Sequence, residues 1–152
     1  MRNILFFAFL LLAFTACKKD KFSTEPQIKF KSVDPNVAST LIGSVIPAIT
    51  FSITDKEGDI GQKPGLDTAY IYLKNNLTGK SDSLPFPNIE AAGKSSFKAD
   101  VSVSIAKVLD CKSLPNLALH VDTLYFDVYV RDFERNKSNV ITTGAPVYFS
   151  CR

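Results

Sequence analysis

The sequence has no tryptophan, one histidine, one methionine and three cysteines. These shortages exclude several kinds of chemistry. A Ser-His-Asp triad would have to use His120, and no Gly-x-Ser-x-Gly elbow accompanies it. Phosphate-binding loops need an early glycine. Gly79-Lys80-Ser81 and Gly93-Lys94-Ser95 end like such loops, but Lys74 and Asn88 stand at the earlier position. Charge of neither sign dominates: the net value is +3 at pH 7, which gives no case for nucleic acid as a partner. Long helical periodicity, internal repeats and low-complexity tracts are also lacking. Carboxylates are present, but sequence spacing places no pair of them across a cleft. No catalytic constellation remains, so the chain is read as a non-enzyme.

The N-terminus is the first informative feature. Arg2 is followed by an almost wholly apolar stretch from Ile4 to Ala16. This is shorter than the ~20 residues a membrane-spanning helix needs, and it ends in small residues before Cys17. The layout is that of a removable signal peptide. Phe14-Thr15-Ala16-Cys17 resembles a bacterial lipobox. That resemblance implies a diacylglycerol on the Cys17 thiol and cleavage just before it. Cys17-Lys18-Lys19-Asp20 looks like the start of small Bacteroidetes lipoproteins, a resemblance that implies a location in the cell envelope, at the outer membrane. The expected organisation is a leader over residues 1–16, a lipidated cysteine and tether over 17–26, and one domain over 27–152. Lys18, Lys19 and Lys21 either meet lipid head groups or solvate the tether.

With Cys17 acylated, Cys111 and Cys151 remain as a pair in an oxidising compartment, where a disulfide is expected in preference to two free thiols. The bridge would close a loop of about 40 residues, worth up to ~4 kcal/mol in the chain-entropy model. It also leaves no ligands for a zinc centre.

Beyond Pro26, apolar residues recur at every second position, the mark of half-buried strands. The pattern covers Ile28 and Phe30; Ile49, Phe51 and Ile53; Phe97 to Ile105; Leu124 to Val130; and Val147 and Phe149. Ala69 to Leu73 is apolar on both faces and reads as a central strand. Ile105 to Leu109 hints at a helical turn. Gly144-Ala145-Pro146 interrupts the last strand, which predicts an edge or a bulge there. The expected fold is all-β: an antiparallel immunoglobulin-like β-sandwich of about seven strands behind the signal segment. Thr123–Arg131 and Asn139–Phe149 look like the last two strands of such a domain. The segment from Asp132 to Ser138 is similar to the Asp-x-x-Gly-Asn-x-Ser turn of bacterial immunoglobulin-like domains, with Glu134-Arg135 where glycine is expected.

Two groups of residues are candidates for binding. Asp55-Lys56-Glu57-Gly58-Asp59-Ile60-Gly61 leaves an apolar strand and resembles a loop of small Bacteroidetes lipoproteins of unassigned role. Alternating carboxylates can wrap a hard cation such as calcium. The EF-hand pattern fails, because Ile60 and Leu66 occupy its obligatory glycine and glutamate positions. In a sandwich of this topology the last hairpin loop emerges at the same end, so Asp55, Glu57, Asp59 and Asp67 are expected near Asp132, with Ca²⁺ as the candidate cofactor. The competing reading is plain turn chemistry, since Asp, Asn and Gly favour turns. The second group is Tyr70, Tyr72, Tyr125, Tyr129 and Tyr148, which alternate with core positions. Sharing one sheet face, they would form an aromatic platform for a glycan or an envelope protein; the competing reading is the ordinary preference of tyrosine for strands. Asp67-Thr68-Ala69, Asp82-Ser83-Leu84 and Asp122-Thr123-Leu124 each resemble the O-glycosylation acceptor of exported Bacteroidetes proteins.

The expectation for function is a membrane-anchored binding or accessory module of the envelope. A passive assembly subunit is the alternative, and a small envelope enzyme follows it. Cys17→Ser is expected to release the protein from membranes or to stall its processing, as read by membrane fractionation. A mature N-terminus found elsewhere and unmodified by mass spectrometry would contradict the anchor.

Overall fold

The alternation in the sequence becomes strands because residues i and i+2 share a face, so each run buries one side against a facing sheet. A computed structural model describes residues 22–41, 43–61, 68–88, 95–113 and 119–151. The leader, Cys17, the basic residues through Lys21 and Asp67 lie outside the described residues. The strands are β1 (Gln27–Asp34), β2 (Val37–Ser39), β3 (Ala48–Asp55), β4 (Tyr70–Asn75), β5 (Ser81–Pro85), β6 (Phe97–Ser104), β7 (His120–Leu124), β8 (Phe126–Arg131), β9 (Ile141–Thr142) and β10 (Val147–Cys151). A short 3₁₀ turn at Ala106–Val108 takes the place of the expected helical turn. Among the described residues no helix is long and apolar enough to cross a membrane.

The strands form sheets in the orders β1-β3-β6, β5-β4-β8-β9 and β2-β10-β7. Only Tyr125 separates β7 from β8, and outward and inward positions alternate without a break from Val121 to Arg131. This stretch is therefore one long strand shared by two sheets. β9 and β10 are likewise two parts of one path, separated at Thr143–Pro146. Proline has no N–H to give a ladder, so the path changes partners where Gly144-Ala145-Pro146 interrupts it. Gly144 lies against Phe30, whose ring would be 3.3 Å from any added Cβ.

Among the described residues all strand pairings are antiparallel except β2 with β10, where Val37 stands opposite Tyr148 in a parallel register. To that extent the purely antiparallel expectation is corrected. The short β2 follows β1 after only two residues and crosses to the far edge of the other layer, where it runs alongside the last strand.

The core fills the space between the layers. Ile49, Phe51 and Ile53 of β3 are fully buried, as are Phe126, Val128 and Val130 of β8, with Ile71 and Leu73 of β4 beside them. Burying a Phe or Ile contributes roughly 1.5–3 kcal/mol relative to exposure. Two asparagine side chains inside the domain are satisfied by backbone groups. The Asn75 side chain accepts from the Leu77 and Thr78 amides and donates to the Val108 carbonyl, fixing the β4–β5 turn against the 3₁₀ turn. Asn139 joins the two layers, accepting from the Ile28 amide at 2.8 Å and donating to the Ile28 carbonyl at 2.9 Å. Cys111 and Cys151 are bridged, with their Cα atoms 5.8 Å apart. The bridge ties the final strand to the segment after the 3₁₀ turn. Beside it, the buried Asp122 carboxylate accepts from the Lys112 amide at 2.7 Å.

Candidate functional site

Two strands that build the core also place the acidic residues. On β3 the inward positions are Ile49, Phe51, Ile53 and then Asp55. On β8 they are Phe126, Val128, Val130 and then Asp132, the first residue beyond the strand. The period of two thus turns both carboxylates toward the interior at the same end of the domain. The following loops are tied together, since the Phe133 amide donates to the Asp59 carbonyl at 3.1 Å. Asp55 is fully buried and Asp132 is 2% exposed.

Each buried aspartate uses one oxygen to hold its own loop. Asp55 Oδ2 accepts from the Gly58 amide at 2.6 Å, and Asp132 Oδ1 accepts from the Asn136 amide at 2.7 Å. Their other oxygens, Asp55 Oδ1 and Asp132 Oδ2, are buried without a hydrogen-bond partner, as is Asp59 Oδ1. Asp55, Asp59 and Asp132 each bring a carboxylate oxygen within 4.8 Å of the others'. No described cation forms an ion pair with any of the three. Burial pushes the Asp55 carboxyl up to about 7, opposed by the Gly58 hydrogen bond and reinforced by Asp59 and Glu57. Burial also raises Asp132, with Asn136 pulling the other way and Asp59 and Glu134 adding repulsion.

Of the five acidic residues read from the sequence, the structure brings these three together. Glu57 lies outside the group. It is exposed at the tip of the turn, accepts from Thr24 Oγ1 at 3.3 Å and faces Lys56 Nζ at 3.9 Å. The turn closed by Asp55 and Gly58 carries it outward.

The tyrosines divide. Tyr72 of β4 and Tyr129 of β8 are register partners, and their rings stack at 4.6 Å with planes 4° apart. The Arg131 guanidinium lies over Tyr72 at 5.9 Å, and Lys137 Nζ lies over Tyr129 at 4.3 Å. Stacking and cation–π contact thus cover these rings. Tyr70 lies beside them, exposed, at the Arg131 register position. Tyr125 and Tyr148 also face outward, but Tyr148 stands opposite Thr123 in the β2-β10-β7 sheet, and neither joins the stack. The single platform is therefore corrected to a two-ring column with Tyr70 at its flank. The reason is register: only residues 72 and 129 are directly opposed across a strand pair.

Two adjoining grooves open on this outer face. One, of about 510 Å³, is lined by Tyr72, Lys74, Asp82, Ser83, Tyr129 and Lys137 among others. The second, of about 400 Å³, is lined by Tyr70, Tyr72, Ser83, Arg131, Asp132 and Arg135 among others. Asp127 is held by Asn76 at 2.9 Å and Thr142 at 2.6 Å, and Asp82 by Lys107 at 3.3 Å. Arg131, Arg135 and Lys137 make no ion pair among the described residues. The sequence signal for these cations is the composition of the stretch Arg131–Lys137, where they are interspersed with its acidic residues.

Of the acceptor-like tripeptides, Ser83 lies within β5 on the groove wall and Thr123 within β7, exposed. Val37, Val121 and Tyr148, all exposed, share the outer face of β2-β10-β7. No protein-family model, no curated protein and no solved structure matches the chain.

Arg135 has a positive φ of 68°. It stands next to Asn136, at a backbone position that glycine adopts without strain. A side chain in this left-handed region costs roughly 1–2 kcal/mol. Arg135→Gly is therefore expected to stabilise the fold by about 0.5–1 kcal/mol, after allowance for the greater freedom of glycine in the unfolded chain. Urea unfolding of the two proteins measures this, and a less stable variant would show that Arg135 makes compensating contacts.

Proposed function

We propose that the protein is a lipid-tethered binding module of a bacterial envelope, and that the outer face of β5-β4-β8 is its ligand surface. The reading of the N-terminus as a lipobox supplies the tether. The observation that carries the ligand surface is Arg135: a long cationic side chain, held where glycine would be unstrained, that lines a groove. Strain of this kind persists where something else is gained, and functional surfaces are where it clusters.

The chemistry of the face selects the ligand class. Both rings of the column already have stacking or cationic neighbours, which disfavours a sugar ring laid flat on them. What the grooves offer instead is Arg131, Arg135, Lys74 and Lys137 with serine and tyrosine hydroxyls between them. An acidic segment of another envelope protein fits that surface, with the arginines supplying paired donors to carboxylates. A second reading, an assembly subunit, rests on the outward Val37, Val121 and Tyr148 of the neighbouring sheet.

A photo-crosslinking residue at Tyr70 in the membrane-bound protein tests this, with Lys29 on β1 and Val121 on β7 as comparison sites. A discrete protein adduct from Tyr70 alone is expected, lost when Lys74 and Lys137 are both changed to Glu and weakened by high salt. Adducts from Val121 alone would favour the assembly reading. Equal labelling from all three sites would contradict a dedicated ligand surface, and a glycan-bearing adduct would replace the acidic protein with a charged sugar.

A further inference from the structure

We propose that Asp55, Asp59 and Asp132 hold a calcium ion that locks the β3–β4 loop to the β8–β9 loop. Two observations meet here. The first is convergence: Asp55 and Asp59 come from the end of β3 and the loop after it, Asp132 from the end of β8 in the other layer, and each brings an oxygen within 4.8 Å of the others. Calcium binds oxygen at about 2.3–2.6 Å, so two ligands on opposite sides of the ion stand about 4.8 Å apart. The three oxygens lie within the span that one such ion can bridge.

The second observation is the set of orphan oxygens. Asp55 is fully buried and Asp132 nearly so, yet Asp55 Oδ1, Asp132 Oδ2 and Asp59 Oδ1 lack any hydrogen-bond partner. A buried carboxylate oxygen without a donor is costly unless a cation or a proton neutralises it. No described lysine or arginine is paired with them, and Glu57 and Glu134 add negative potential from the two loops. Turn formation accounts for the other oxygens of Asp55 and Asp132, which the Gly58 and Asn136 amides already occupy. It does not account for the orphans.

The donor set selects the ion. Carboxylate oxygens suit hard cations and give no preference for zinc or copper. Magnesium demands a near-ideal octahedron and usually keeps several of its waters. Enclosure of Asp55 and Asp132 favours calcium, which accepts irregular shells of protein oxygens. Asp132 also lines the groove beside Arg131 and Arg135, so the ion would brace the wall of that groove from behind. The metal site does not depend on what the groove binds. The competing explanation is a shared proton, with Asp55 protonated and hydrogen-bonded to Asp59.

Thermal unfolding of the mature chain at pH 7.5, in EDTA, CaCl₂ or MgCl₂, separates these. For the weak affinity typical of extracellular modules, 10 mM CaCl₂ is expected to raise Tm by about 5–10 °C over EDTA. Asp59→Asn is expected to abolish the rise, while Glu57→Gln, at the exposed turn tip, keeps it. Equilibrium dialysis of the unaltered chain is expected to find one calcium per molecule, a readout that holds if the Asp59 variant does not fold. A Tm identical in CaCl₂ and EDTA would overturn the site in favour of the shared proton. A calcium response that survives in Asp59→Asn would place the ion elsewhere, and an equal response to MgCl₂ would overturn the choice of calcium.

Discussion

Two facing strands, β3 and β8, set the arrangement of everything else. Each contributes an unbroken alternation of buried apolar side chains, and an aspartate continues the same inward phase, Asp55 as the last residue of β3 and Asp132 as the first beyond β8. A strand cannot slip by one residue without turning its whole apolar set to water, so the core fixes the register. Once Ile49, Phe51 and Ile53 pack inward, Asp55 must follow, and once Phe126, Val128 and Val130 do so, Asp132 must follow. The hydrophobic effect thereby drives two carboxylates into the end of the sandwich. Their burial is opposed by desolvation and by the charges of Asp59, Glu57 and Glu134, and the Gly58 and Asn136 hydrogen bonds offset only part of it.

The opposite phase of the same strands makes the outer face. Tyr72, Tyr129 and Arg131 point away from the core because their neighbours point into it. The ring stack and its cations contribute about 0.5–1.5 kcal/mol as a cross-strand unit and hold the groove walls in one arrangement. The acidic cluster and the groove therefore meet at one loop, where Asp132 belongs to the cluster and also lines the groove with Arg135.

Much of the fold was legible because alternation is a direct consequence of burial. The strands around Phe51, Val101, Val128 and Phe149 appear where period-two runs stand in the sequence, and the break at Gly144-Ala145-Pro146 appears where proline forbids a ladder. The Cys111–Cys151 bridge follows from parity once Cys17 is set aside. What escaped were features that depend on register between strands. Sequence alone does not oppose Tyr72 to Tyr129 while leaving Tyr125 and Tyr148 apart, nor does it announce that β2 runs parallel to β10. The same limit applies at the acidic loop. Alternating carboxylates in Asp55-Lys56-Glu57-Gly58-Asp59 look equivalent on paper, but the turn closed by the Gly58 amide sends Glu57 outward and keeps Asp59 near Asp55. Arg135 was visible only as a departure from the glycine of a similar turn, and its meaning came from the backbone conformation.

Crystals of the mature chain grown in CaCl₂ decide most directly what neutralises the buried carboxylates. An anomalous peak is expected between Asp55, Asp59 and Asp132, with their oxygens at about 2.3–2.6 Å from it. A map without that peak, in which Asp55 donates a hydrogen bond to Asp59, would show that a proton holds the junction and that the loops are joined without a metal.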